Sequence, residues 1–86
     1  MPTISRFYGI SIRMFFSEHN PPHFHAFYAE QRASIDIATL ELQRGYLSPR
    51  ALSLVIEWGR THQAELLRDW EMAQRDENPL PIAPLE

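Results

Sequence analysis

At Ser48-Pro49 the spacing of apolar residues changes from every second position to every third or fourth. A chain that makes this change once, near its middle, is constrained to a sheet region followed by a helical region. From Phe7 to Phe16 the alternation puts Tyr8, Ile10, Ile12, Met14 and Phe16 on one face and Ser11 and Arg13 on the other, the pattern of a strand half-buried on a core. Ser17 to Pro22 is rich in turn formers, and Pro21-Pro22 forces the chain to change direction. A second extended segment follows over His23 to Ala29, where Phe24, Phe27 and Tyr28 suit a pleated surface. The chain turns again near Ala29 to Gln31, alternation resumes at Ser34 to Ile37, and Leu40 and Leu42 mark one more short strand ended by Gly45.

Beyond this point Ser48 can cap free amides while Pro49 occupies the first helical position, where no donor is needed. The spacing predicts one long helix over 48–75. Its buried arc would carry Leu52, Val55, Ile56, Trp58, Gly59, His62, Leu66, Leu67, Trp70 and Ala73, and its solvated face Ser53, Glu57, Arg60, Arg68, Glu71 and Arg75. Gly59 marks either a kink, which would leave two shorter helices, or a close approach by another element. Asn78 to Glu86 holds three prolines and cannot continue a helix, so residues 76–86 form an extended tail. Leu80, Ile82 and Leu85 would pack back on the domain or offer a peptide to a partner's groove. The expected architecture is a single α+β domain: an antiparallel sheet of three or four strands over 7–44, packed on one long helix, with a proline-rich extended tail.

Eighty-six residues support one small core and hide only about 60% of the unfolded surface, so a pocket in such a chain is shallow or shared. No apolar run approaches the ~20 residues that span a bilayer. The amino terminus lacks the pattern of a secretory signal and there is no cysteine, so cytoplasm is the expected compartment. The net charge of −3 disfavours a general nucleic-acid binder. Every basic residue is an arginine, which suits planar recognition of carboxylate or phosphate, although several have an ordinary surface explanation on the helix.

Three of the four histidines lie in Glu18-His19-Asn20-Pro21-Pro22-His23-Phe24-His25. In a strand, His23 and His25 point the same way with Cα atoms roughly 6.5 Å apart, close enough to share one transition-metal ion such as zinc, and His19 can arrive across the proline turn. His62 stands among Trp58, Leu66 and Trp70 at steps of four and so faces the sheet, where it could meet the strand pair. Hydrogen-bonding duty, metal ligation by His19, His23 and His25, and acid–base catalysis by His23, His25 and His62 all remain open to these rings. Alternation does not settle which sheet face carries the pair. Facing away from the helix, it would join Arg13 and Phe15 on an open surface. Glu18 and Asp36 are the carboxylates expected nearest the histidines, and Glu18, His19, Arg13 and Tyr8 are the candidate binding residues. No phosphate loop, nucleophile elbow or His-Glu-x-x-His helix occurs.

The opening Met1-Pro2-Thr3-Ile4, Phe7-Tyr8-Gly9-Ile10, the Glu18 to His25 block, the Trp58 to His62 step with Glu65-Leu66, and Pro84-Leu85 together resemble the bacterial domain of unknown function 4160 family over nearly the whole chain. Ser48 before Pro49 departs from the leucine-proline step expected there. The resemblance implies a gene pair of toxin–antitoxin type and hence a small protein partner encoded next door. Two functions follow as expectations. One is a protein-binding module acting in complex with that partner, with self-association also open. The other is a histidine-dependent hydrolase or nuclease-type toxin in which Arg13 holds phosphate.

Overall fold

The computed structural model describes residues 2–86. Five antiparallel strands run in sequence order: β1 (Thr3–Phe7), β2 (Ile10–Arg13), β3 (His23–Tyr28), β4 (Gln31–Asp36) and β5 (Leu42–Tyr46). Two helices follow, α1 (Pro49–Thr61) and α2 (Gln63–Gln74). The expectation of three or four strands on one long helix is therefore corrected in both halves.

The additional strand comes from splitting Thr3 to Arg13 into a hairpin. Tyr8 and Gly9 both take positive φ, 50° and 80°, the twist that a two-residue turn needs to return the chain along itself. Tyr8 thus sits in a turn, 58% exposed, and not on the buried face of a strand. The helix breaks at His62, whose φ of −120° and ψ of 23° are not helical, so that His62 ends α1 and begins α2. Two contacts hold the break. Gln63 donates its side-chain amide to the carbonyls of Ile37 and Ala38, and the His62 imidazole bonds to Glu65 one turn into α2. Gly59 marks a close approach, because a Cβ there would stand 2.9 Å from Leu40 Cδ2. The break also rotates the buried face of α2, so Leu67 becomes 41% exposed while Asp69 is fully buried.

The core lies between one sheet face and the helices. Phe24, Ala26, Ala33 and Ile35 from β3 and β4 meet Val55 and Trp58 of α1, and Trp58 packs its ring on Phe7 and Phe24 at centroid distances of 5.4 and 5.9 Å. The tail closes the open side of β1. Ile82 is buried and donates its N–H to the Ile4 carbonyl, while Trp58 Nε1 donates to the Ala83 carbonyl at 2.8 Å.

Asp69 fixes the start of that tail by accepting Leu80 N–H and the Arg68 guanidinium at Oδ1, while its buried Oδ2 has no partner among the described residues. Burial pushes the Asp69 carboxyl above the usual carboxylate range, against the pull of its hydrogen bonds from Leu80 and Arg68. A group raised in the folded state stabilises the fold below its unfolded pKa, and that contribution is lost as pH rises through the folded value. Asp69→Asn keeps an acceptor for Leu80 and carries no charge. Its stability relative to the parent, read by urea unfolding from acid to neutral pH, should therefore improve as pH rises. A constant difference across that range would show that the Asp69 charge is not penalised.

Candidate metal centre

The burial of side chains along β3 settles which face the histidines occupy. Phe24 and Ala26 point into the core, so His23, His25 and Phe27 share the opposite face, away from α1. Strand register extends that face sideways. Arg13, His25, Ser34 and Arg44 lie side by side across β2 to β5, and Arg6, Ser11, Phe27, Arg32 and Tyr46 form the neighbouring row across all five strands. Phe15, just past β2, lays its ring 4.1 Å from that of His25.

The loop before β3 carries a cis Asn20-Pro21 peptide bond and brings Glu18 over the two rings. Glu18 Oε1 lies 2.6 Å from His25 Nε2 and 3.1 Å from His23 Nε2, and one ligand atom from each of the three residues falls within 4.8 Å of the others. They stand in a cleft of about 450 Å³ whose walls include His19, Asn20, Pro21, Ser34, Gln43 and Arg44. Gln74 of α2 donates to the Glu18 carbonyl, and the Trp70 ring packs 5.2 Å from His23, so the second helix buttresses the loop.

His23 Nδ1 is 2.9 Å from the Pro21 carbonyl oxygen. A carbonyl can only accept, so Nδ1 carries the proton, and a neutral ring then presents the lone pair of Nε2 to the Glu18 carboxylate. Two acceptors 3.1 Å apart repel unless a proton or a cation lies between them. Burial pushes the His25 imidazole below its usual value, opposed by its hydrogen bond and charge interaction with Glu18. Burial therefore favours the neutral ring, the form that binds metal.

The remaining candidates are placed as follows. His19 lines the cleft but is exposed and stands apart from the three-residue group. Arg13 is the cross-strand neighbour of His25. Tyr8 lies in the β1–β2 turn, at the other end of β2 from Arg13. His62 does not join the strand histidines. Its ring rests 5.3 Å from Trp58, on the core side of the sheet, and it is bonded to Glu65. Asp36 is opposite His23 in register, yet its carboxylate is taken by Ala38 N–H, Thr39 N–H and Gln43, which makes it a turn anchor.

Ser34, Gln43 and Arg44 carry no signal of the site along the sequence, since only cross-strand pairing brings them to the histidines. The one local signal is Gly45, which by sequence ends the strand. It lies inside β5 at a φ of 83°, and a Cβ there would come within 2.2 Å of the Arg32 carbonyl oxygen. Glycine thus allows the close crossing beside Arg44.

A family model described as "Domain of unknown function (DUF4160)" matches residues 9–71, and the chain belongs to that family. The matched span contains Glu18, His23, His25 and the second helix up to Glu71, and leaves β1 and the tail outside it. No curated protein and no solved structure matches the chain.

Proposed function

We propose that this member of the DUF4160 family is a metal-dependent hydrolase of phosphate esters, with a transition-metal ion such as zinc held by Glu18, His23 and His25. The proposal is carried by the His23 ring, whose Nδ1 contact with the Pro21 carbonyl leaves Nε2, the atom that faces the Glu18 carboxylate, as the one that can take a cation. Metal-bound imidazoles usually donate their other N–H to such a backbone oxygen, which fixes the ring and raises its basicity. Ligand atoms about 2.0–2.1 Å from a tetrahedral zinc stand ~3.3 Å from one another, so separations of 2.6 and 3.1 Å need only small opening movements. Two histidines and one carboxylate are a ligand set used by hydrolytic zinc, with a further position left for water.

When bound, the ion supplies a hydroxide at neutral pH by lowering the pKa of its water to about 7. The chain's own groups then orient the ester. In such a hydrolysis water would add to phosphorus as the ester P–O bond breaks, and His19 at the cleft wall, or solvent, would give a proton to the departing oxygen. Arg44 on the same wall offsets charge on the phosphoryl oxygens. Titration calorimetry with zinc should give one ion per chain, and the loaded protein should release nitrophenolate from bis(p-nitrophenyl) phosphate. A chain that takes up no stoichiometric zinc, cobalt or manganese would overturn the proposal.

A second reading, that the domain acts in complex with a small neighbouring gene product of toxin–antitoxin type, is favoured by the sheet edges. The tail covers β1, whereas all five residues of β5 are exposed and its outer edge is free to pair with another strand. Co-expression with the neighbour should give a complex of fixed stoichiometry. Separate elution of the two proteins would remove this reading.

A further inference from the structure

We propose that the outer face of the sheet is a binding platform for single-stranded nucleic acid. This names the substrate class of the phosphate-ester hydrolase and rests on that reading for what happens after binding, although the binding itself needs no metal.

The net charge of −3 hides a segregation that the strand register makes visible. Four of the eight arginines, Arg6, Arg13, Arg32 and Arg44, project from this one face, and the two rows that hold them contain no carboxylate. Of the acidic groups bordering the face, Glu18 is engaged by His23 and His25 and Asp36 by its own turn, while Glu30 and Glu41, exposed beside the two ends of β4, form no ion pair with these arginines among the described residues. Among the described residues, the arginines in ion pairs are Arg68 and Arg75, both beyond the sheet. The four on the face therefore present guanidinium groups with no protein anion to meet. Arg13 shows this most sharply. Its Cζ lies 4.2 Å above the Phe27 ring, and its buried Nε has no acceptor. A desolvated donor on a cation is costly until an anion is supplied.

Spacing and ring content indicate which anion. Within each row the two arginines are three strands apart, roughly 14 Å at the usual strand separation, and the rows are offset by two residues, roughly 7 Å. Phe15 and Phe27 lie between them half-buried, and Tyr46 stands at the edge, 60% exposed. Guanidinium groups interleaved with aromatic rings suit a polyanion that also offers flat faces to stack on, and bases are free to do so only in a single strand. A duplex keeps its bases stacked on one another, so their flat faces are not offered to Phe15, Phe27 and Tyr46. Phe15, His25, Arg32, Ser34 and Arg44 also line a shallow depression that runs from this face into the Glu18 cleft. A strand lying across the rows would bring a phosphate to the metal position.

The test is fluorescence anisotropy with labelled decauridylate in EDTA, so that binding is scored without metal and without cleavage. The parent chain should bind at low salt, and the R32Q/R44Q double variant should bind at least about tenfold more weakly, with a salt slope shallower by up to about 0.7 per cation removed. Both arginines are exposed, so the fold should survive the change. Arg60→Gln on α1 should bind like the parent. Failure of the parent to bind, or equal binding by R32Q/R44Q, would overturn the platform. So would tighter binding of polyglutamate, of a duplex of the same length or of phosphatidylserine vesicles, each of which would identify a different occupant. Zinc titration of the same variants reports separately on the metal centre. Oligonucleotide binding without zinc uptake would leave the platform standing and remove the hydrolase.

Discussion

His25→Ala should lower zinc affinity by at least about a hundredfold while leaving the protein folded. Removing a hydrogen-bonding partner behind a ligand already costs 10–100-fold in typical sites, so loss of the ligand itself sets that as a floor. The imidazole stands on the outer face of β3, half-buried against Phe15 and Glu18, and its loss opens no cavity in the core formed by Phe24, Val55 and Trp58. Circular dichroism should show the parent's spectrum, with a thermal midpoint within about 5 °C, the shift that ~1 kcal/mol produces in a domain this size. His62→Ala provides the contrast. It should leave zinc binding unchanged, because His62 lies beside Trp58 and Glu65, and should cost stability by loosening the α1–α2 junction. Parent-like zinc uptake by His25→Ala would sink the three-ligand centre, and so would loss of uptake in His62→Ala.

Local pattern made part of this molecule legible and long-range geometry withheld the rest. The period change at Ser48-Pro49 marks where sheet gives way to helix, and Ser48 does accept the Ala51 N–H at the start of α1. The His23-Phe24-His25 spacing places both imidazoles on one face of β3 for the reason a pleated strand always does. What failed were boundaries set by backbone conformations that side-chain periodicity does not encode. Tyr8 reads as one more apolar member of an alternating run, yet it adopts positive φ beside Gly9 and turns the run into two strands. His62 fits the apolar arc at the right angle, yet Gln63 and Glu65 hold it in a non-helical conformation; past it Leu66, Trp70 and Ala73 are buried as the arc predicts, while Leu67 turns outward and Asp69 inward.

The site follows the same division. Glu18 and the two strand histidines are close in sequence, so one short block displays all three. Arg44 and Ser34 reach the cleft only through the pairing of β4 with β5, which carries a register shift between Ser34 and Ile35 that no spacing rule would anticipate. Charge behaved likewise. A sum over the chain gives −3, whereas strand pairing collects four arginines on one face and leaves most carboxylates on helices and turns. A property that depends on which residues become neighbours across strands has no signature in a one-dimensional window.

Deleting the residues after Asn78 should unfold the domain. Ile82 belongs to the core and Leu85 packs against it, with Leu80 exposed, so removal of the tail is a core deletion and not the loss of a free peptide. Ile82 is 4% exposed, and loss of a buried residue of that kind typically costs about 2–5 kcal/mol. Trp58 Nε1 loses the Ala83 carbonyl and Asp69 loses Leu80 N–H, and each buried polar group left without its partner adds roughly 1–3 kcal/mol. The Ile4 carbonyl is freed as well, and β1 becomes an open sheet edge. These losses together are comparable to the ~5–15 kcal/mol that holds a typical domain folded. The truncated chain should therefore show collapsed amide dispersion in a nitrogen–proton correlation spectrum, and no complex with any partner should survive in a form that depends on the sheet. Ile82→Ala separates burial from chain length. With the tail's backbone contacts kept, it should remain folded and lose about 2–5 kcal/mol in urea unfolding. A truncated protein that unfolds at the parent's urea midpoint would mean that Trp58 and Ile4 find other partners, and that the tail is free to serve an outside groove after all.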